Sequence, residues 1–367
     1  MKVAVITRHA ITNYGSLLQA IATQKVIEKI GHECKIINYI RDDESYSKHE
    51  ITLLKRKPNW YNNLLKRYIY LVLRQPESIL SGRKFEEYQK IYLKLTKKFI
   101  TKEQMKNDKP IADIYMTGSD QVWGPTEDGT YDSSYCLSFT DNRDKRIAYA
   151  ASFGHTKMTE QLKVYYKKWL SRYKYISVRE DSAIELLKNI DIKSKQVLDP
   201  TLLLCKTDWE EYIDKKINKK YILIYQIHND PKLNKYAKKL AKEKNLSLIR
   251  ISTAFHQIIR GGKFIWTPTI GTFLSYIKNT ECLITDSFHG TAFAINFNIN
   301  FIEVLPNNNT GTRNVSILKL TGLSDRILKD ENDISLIDKK IDYYMVNKIL
   351  DEKRKESIDI LKYMIEN

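Results

Sequence analysis

The sequence predicts an α/β fold in two domains facing each other across a cleft, each domain built on a parallel sheet, and three observations carry this. Apolar runs of strand length alternate with longer segments of helical period. The alternation starts twice, once at residue 2 and again just after Cys205. Polar loops with distinctive residue combinations follow the strands, where ligands gather in open parallel sheets, and a cleft between two such domains is the natural place for a site. A chain of 367 residues exceeds one ordinary core and fits two.

The first βαβ unit reads directly from "KVAVIT", the loop "RHAITNYGS", the helical "LLQAIATQKVIEKIG" with its glycine stop, and "CKIINYI". A charged, poorly periodic stretch over 41–75 follows, then the helical "SGRKFEEYQKIYLKLTKKF". "IADIYMTGSDQVWGP", "RIAYAASFG", "YISVREDSAIELLKNI" and "KQVLDPTLLL" complete the first domain. The second runs through strand "YILIYQI", helix "DPKLNKYAKKLAKEKN" with proline in its first turn, strand "LSLIRIS" and helix "GTFLSYIKNT". Strand "CLITDS", helix "HGTAFAINFN" and strand "FIEVL" close it. The expected boundaries are 1–205, with a basic helical insertion over about 41–107, and 206–330, with 331–367 as helices docking back on the body.

An apolar fraction of 42% belongs to a globular chain, and no stretch approaches the roughly 18 unbroken apolar residues of a membrane span. The first apolar segment is too short for a signal peptide, so a cytoplasmic protein is expected. Cys34, Cys136, Cys205 and Cys282 lack metal-binding or redox spacing and read as buried free thiols. The net charge of +17 is concentrated in lysine-rich runs. One of them, over 53–75, interleaves aromatic and aliphatic residues with its charges, as a peripheral contact with an anionic membrane or another anionic partner requires. No nucleic-acid-binding pattern accompanies the charge. No metal-site, nucleotide P-loop or nucleophile-elbow motif is present, so the sequence calls for no metal and no cofactor.

Five loops can carry chemistry. In "TDSFHG" a strand gives way to a helix with Asp286 or Ser287 as its cap, so Phe288, His289 and Gly290 form a first turn whose dipole favours an anion. The same residues also suit a plain capped helix with a structural histidine. "SVRED" sets Arg179 after a strand, suited to planar recognition of carboxylate or phosphate, or to pairing with Glu180 or Asp181. In "TGSDQVWGP", Asp120 and Gln121 can bond hydroxyls beside the apolar face of Trp123, a combination fit for a sugar; Trp123 packed inside the fold is the other reading. Asn13, Tyr14 and Gly15 in "RHAITNYGS" offer either close backbone approach to a ligand or a helix cap. Arg313 follows "FIEVL" and would face the same mouth as His289.

Taken in order, "NYGSLLQA", "TGSDQVW", "YAASFG", "SVRED", "VLDPTLLL", "TDSFHGTAFAI" and "TRNVSILKLTGL" resemble the polysaccharide pyruvyl transferase family over nearly the whole chain. The resemblance implies two Rossmann-like domains of the GT-B kind. It implies transfer of pyruvate from phosphoenolpyruvate, as co-substrate, onto two hydroxyls of a sugar as a ketal, on a cell-surface glycan or its precursor; the basic, aromatic-rich stretch 53–75 fits a lipid-linked oligosaccharide acceptor at the inner membrane face. His289 then matches the catalytic histidine of an "RLH"-type motif and Arg179 a donor-holding arginine, with Ser287, Phe288, Gly290 and Arg313 on the donor side. Asn13, Tyr14, Gly15, Asp120, Gln121 and Trp123 fall on the acceptor side. Ser287 stands where that motif has arginine, and Arg313 is a candidate replacement for the charge. A nucleotide-sugar glycosyltransferase and a non-catalytic glycan- or anion-binding protein share the expected fold.

Overall fold

The computed structural model describes residues 1–306 and 311–367, and its chain divides into two units, Met1–Pro200 with Glu356–Asn367, and Thr201–Lys355. The first unit holds β1 (Lys2–Ile6), β2 (Glu33–Ile36), β3 (Ile114–Thr117), β4 (Lys145–Ala151), β5 (Tyr175–Val178) and β6 (Lys195–Gln196). They form a six-stranded sheet in the order β2-β1-β3-β4-β5-β6, with every pairing parallel. β3 is buried along its whole length and β4 nearly so, because helices cover both faces of such a sheet; this is why they read as unbroken apolar runs.

The insertion is helical over much of its length, and helices also occupy the part whose periodicity was too weak to read. Residues 41–75, expected to be poorly periodic, include helices His49–Lys55 and Pro58–Tyr61 and the start of a long helix, Leu64–Tyr92, that runs through Pro76. Its apolar residues lie largely on the outer side, so they leave no core-facing periodicity to read. The helical period expected to continue to Phe99 stops at Tyr92; beyond it the chain is extended, and Leu95 and Phe99 bridge Ile36 and Tyr39.

The second unit holds β7 (Tyr221–Tyr225), β8 (Ser247–Ser252), β9 (Lys263–Trp266), β10 (Cys282–Thr285) and β11 (Phe301–Glu303) in the parallel order β11-β10-β7-β8-β9. β9 was not expected: it is a partly exposed edge strand without a buried residue, so its pattern carries little signal. Helix Pro231–Glu243 starts on the Asp230 cap with proline in first position and lays Leu233, Tyr236, Ala237 and Leu240 on the sheet. The final helix, Tyr343–Glu366, serves both units. In the second, Arg354 donates to the Leu202 carbonyl (2.7 Å) and to Asn296 (2.9 Å). In the first, the Ser357 hydroxyl accepts from the Leu198 amide at 3.0 Å and Tyr363 meets Tyr175 edge-on.

Cys34, Cys136 and Cys282 are buried free thiols, while Cys205 is only half-buried, at the cap of a short helix. Among the described residues no helix is long and apolar enough to cross a membrane.

Candidate active site

Each sheet has a point where strand order reverses, and in open α/β sheets ligands bind beside the carboxyl ends of the strands at that point. In the first sheet the chain lays β2 on one side of β1 and then β3 on the other. The reversal therefore lies between the loops that follow β1 and β3, which are the loops carrying Asn13 and Asp120.

There, Asn13 caps helix Tyr14–Lys29 by accepting from the Gly15 amide (2.8 Å). The Ser16 hydroxyl donates to Asp120 at 2.7 Å, and the Thr7 hydroxyl to the Ser119 carbonyl at 2.8 Å, so the two loops are tied together. Asp120 has φ 73°, a left-handed conformation uncommon outside glycine and a mark of a held turn. Tyr14 is buried against Phe85, and Trp123 is buried against Phe153 and Tyr173. Trp123 thus offers its indole to the core, the second of the two readings its sequence allowed, rather than an open face to a sugar. Gln121 is half-buried against Gly154, whose φ of +69° and lack of a side chain leave room for it.

Arg179 lies at the centre of a second knot. Its guanidinium donates to Asp199 (2.8 Å) and approaches Asp120 (3.6 Å) and Glu180 (3.7 Å). Ser119 donates to Asp199 and Ser152 to Glu180, so loops after four strands converge on one buried cation. Burial alone would lower the pKa of Arg179, but the three carboxylates outweigh it and hold it raised. A guanidinium this heavily committed fixes loops; a donor anion would have to displace Asp199. Asp199 and the serines escaped sequence reasoning although "VLDP", "TGSD" and "YAASFG" contain them, because nothing in spacing says which polar residue meets a distant arginine.

Another polar cluster on this edge was also missed. Arg8 approaches Glu44 (3.6 Å), donates to the Pro125 carbonyl (3.0 Å) and lies over the Tyr135 ring, and Arg8, Glu44 and Tyr135 line a small cavity with Tyr39 and Ile40. Burial pushes the Glu44 carboxyl up against the opposing pull of Arg8.

In the second sheet the chain runs β7, β8, β9 one way, then places β10 and β11 on the other side of β7. The reversal lies between the carboxyl ends of β7 and β10, where "TDSFHG" begins. Ser287 caps helix Phe288–Phe297, accepting from the Gly290 amide at 3.3 Å, and His289 stands in the first turn, 6% exposed, its ring edge-on to Phe288. Asp286 accepts from the Ile227 and His228 amides (2.7 and 2.9 Å), clasping the β7 loop to the β10 loop. Gly290 has a steric cause: a Cβ there would come 2.4 Å from the Thr285 hydroxyl.

Around this junction the structure gathers groups that sequence reasoning did not select. Arg260 donates to Gln226 (3.2 Å) and Asn229 (2.6 Å), and the buried Arg250 donates to Gln226 and Gln257. Among the described residues neither arginine has a carboxylate at ion-pair distance, in contrast to Arg179. Burial and the neighbouring Arg260 push Arg250 down to about 10. Burial lowers the pKa of Arg260 while the Asp286 carboxylate opposes it, so two cations held by neutral amides lie near the loop that Asp286 clasps, an arrangement that can receive an anion. A mid-domain "RISTAFHQIIR" gave no hint of this, since the arginines meet only through the β8 loop. On the far side of β10, Glu303 at the end of β11 accepts from Thr291 and from Asn314 (2.6 Å). Arg313 precedes Asn314 in the first turn of helix Thr312–Leu320; in the segment "LPNNNTGTRN" (305–314) that follows β11, residues 307–310 lie outside the described residues. His289, Ser287, Phe288 and Gly290 are thus together in the second unit, and Asn13, Tyr14, Gly15, Asp120, Gln121, Trp123 and Arg179 together in the first.

A family model described as polysaccharide pyruvyl transferase matches residues 13–309. No curated protein sequence matches significantly. Among solved structures, Arabidopsis thaliana UGT89C1 complexed with UDP-L-rhamnose is similar at TM-score 0.53 and 8% identity, covering 99% of this chain and 98% of that one. The Neisseria meningitidis UDP-GlcNAc 2-epimerase bound to UDP-GlcNAc has TM-score 0.52 and 11% identity, with 100% of both chains covered. The Methanocaldococcus jannaschii UDP-GlcNAc 2-epimerase has TM-score 0.50 and 14% identity, again over 100% of both chains. At such identities the likeness is one of fold, and that fold is of the GT-B kind.

Proposed function

The chain belongs to the polysaccharide pyruvyl transferase family, and from that premise we propose that it transfers the pyruvyl group of phosphoenolpyruvate to two hydroxyls of one glycan sugar, as a cyclic ketal, with release of phosphate. The observation that carries the reading is the second reversal point, where His289 stands in the first turn of a capped helix and Arg260, held by Gln226 and Asn229 on the β7 loop and with no carboxylate at ion-pair distance among the described residues, lies within the electrostatic reach of Asp286. That group suits a small, doubly anionic donor.

His289 acts as general acid, giving a proton to the methylene carbon of phosphoenolpyruvate and making the adjacent carbon electrophilic. Arg260 and the helix amino-terminus hold the donor's carboxylate and phosphate and offset charge as it shifts. One sugar hydroxyl bonds to the electrophilic carbon and loses its proton. The bond from that carbon to the phosphate oxygen breaks, phosphate leaves, and the second hydroxyl closes the ring with loss of its own proton. One of the two released protons restores His289 and the other leaves with phosphate. Arg260 takes the part expected of the arginine that Ser287 replaces, with Arg313 as the alternative cation. Arg179 positions the loops after β3, β4 and β5. The acceptor belongs to the first unit's reversal point, where Asp120, Gln121, Arg8 and Glu44 offer hydroxyl-binding groups.

The test is acceptor-dependent phosphate release from phosphoenolpyruvate across a panel of galactose- and mannose-containing glycans. Release only in the presence of an acceptor supports the reading. Release of UDP or GDP from a nucleotide-sugar, with none of phosphate, replaces it with glycosyl transfer.

A further inference from the structure

The long helix Leu64–Tyr92 presents a side for which the fold has no use. Leu64, Leu65, Tyr68 and Leu73 are 71, 68, 69 and 69% exposed, and Ile69 and Val72 are exposed beside them. At about 100° per residue these six fall within one half of the helix circumference, so they form a continuous outer stripe. The opposite side is anchored. Tyr70 donates to Glu50 (2.8 Å), and Arg74 approaches Glu50 (3.6 Å) and donates to Glu77 (3.3 Å), so the apolar side is held outward. A contiguous apolar patch of this kind marks an interaction surface.

Charge says what covers it. Residues 51–76 contain Lys55, Arg56, Lys57, Lys66, Arg67 and Arg74 and no acidic residue. Lys55, Arg56, Lys57 and Lys66 are exposed. An apolar stripe rimmed by basic side chains fits the headgroup boundary of an anionic bilayer, where the apolar side enters the acyl region and the rim meets lipid phosphates. Two copies of this chain meeting stripe to stripe would instead bring like-charged rims within a Debye length of about 10 Å, an arrangement that costs energy. No described helix can span a membrane, so the contact is peripheral. We propose that the outer face of helix Leu64–Tyr92 docks the chain in the plane of an anionic lipid bilayer. The proposal does not rest on the ketal reading, because its readout uses no turnover.

Flotation of the full chain with phosphatidylcholine vesicles, with and without phosphatidylglycerol, tests it. The wild type is expected to float with phosphatidylglycerol-containing vesicles at low salt and to detach at about 0.5 M NaCl, where screening is strong. Lys55→Gln with Lys57→Gln and Lys66→Gln should weaken vesicle binding roughly a hundredfold. Leu65→Glu with Val72→Glu should abolish it while circular dichroism and the melting temperature stay at wild-type values. Wild type that never floats, or a Glu pair that floats like wild type, overturns the proposal. So does a wild-type dimer that the Glu pair splits without any vesicle binding, which would assign the face to a second copy.

Discussion

In the proposed mechanism His289 is the proton donor and Arg260 part of the anion corner, and substitution should separate the two duties. His289→Ala removes the proton donor but leaves the anion corner, so kcat for phosphate release is expected to fall by about a hundredfold or more with phosphoenolpyruvate still bound. Arg260→Ala should raise KM for phosphoenolpyruvate about tenfold or more, with partial recovery in Arg260→Lys, since lysine restores charge but not the planar pair of donors. An Arg260→Ala enzyme with unchanged KM would remove that residue from the donor site. Glu303 gives a test in pH. Burial pushes its carboxyl up to about 8, against the pull of hydrogen bonds from Thr291 and Asn314, with the charge of Asp286 adding to the rise. The folded chain thus keeps a proton that the unfolded chain gives up above about 4.3, and stability falls as pH rises from there to about 8, then levels off. Glu303→Gln keeps an acceptor for Asn314 and has no charge to acquire. Its denaturation midpoint should overtake that of wild type above neutral pH, and identical pH slopes for the two would show Glu303 ionised in the fold.

At the scale of elements, helix Phe288–Phe297 is buried on every side, and its small residues are what let it sit so close to the sheet. The Thr285 hydroxyl beneath Gly290 already donates to Tyr225 (2.7 Å) and accepts from the Ser287 amide (3.0 Å), so it has nowhere to go. Gly290→Ala should therefore cost about 1–3 kcal/mol in urea denaturation, and Ser287→Ala, which removes only the cap, about 1 kcal/mol. The Arg179 knot makes a sharper prediction. Removing the guanidinium strands Asp199, Asp120 and Glu180 in a buried place, so Arg179→Ala should lose about 3–5 kcal/mol. If the variant keeps its stability and loses only donor affinity, Arg179 is a donor ligand after all.

For the whole molecule, binding of the donor to the folded state alone should stabilise it by about 2.7 kcal/mol at a hundred times Kd, seen as a rise in melting temperature with phosphoenolpyruvate and none with UDP-sugars. The two parallel sheets were legible because buried strands such as "YILIY" and "CLIT" and capped helices such as the one after Asp230 are local signals. The "TDSFHG" junction was legible for the same reason: strand end, cap and first-turn histidine are adjacent in the chain. Partnerships across the sheet edge were not. Arg179 with Asp199, and Arg260 with Gln226 and Asn229, depend on loops that only the strand order brings together. Helix Leu64–Tyr92 was obscured by its inverted pattern, apolar side outward and Pro76 within. The account stands most directly on the fate of carbon-labelled phosphoenolpyruvate incubated with the protein and a glycan acceptor, followed by mass spectrometry of the glycan. It predicts a labelled pyruvate ketal on the glycan with the wild type and none with His289→Ala. Unlabelled glycan with the wild type, extended instead by a sugar when a nucleotide-sugar is supplied, would contradict it.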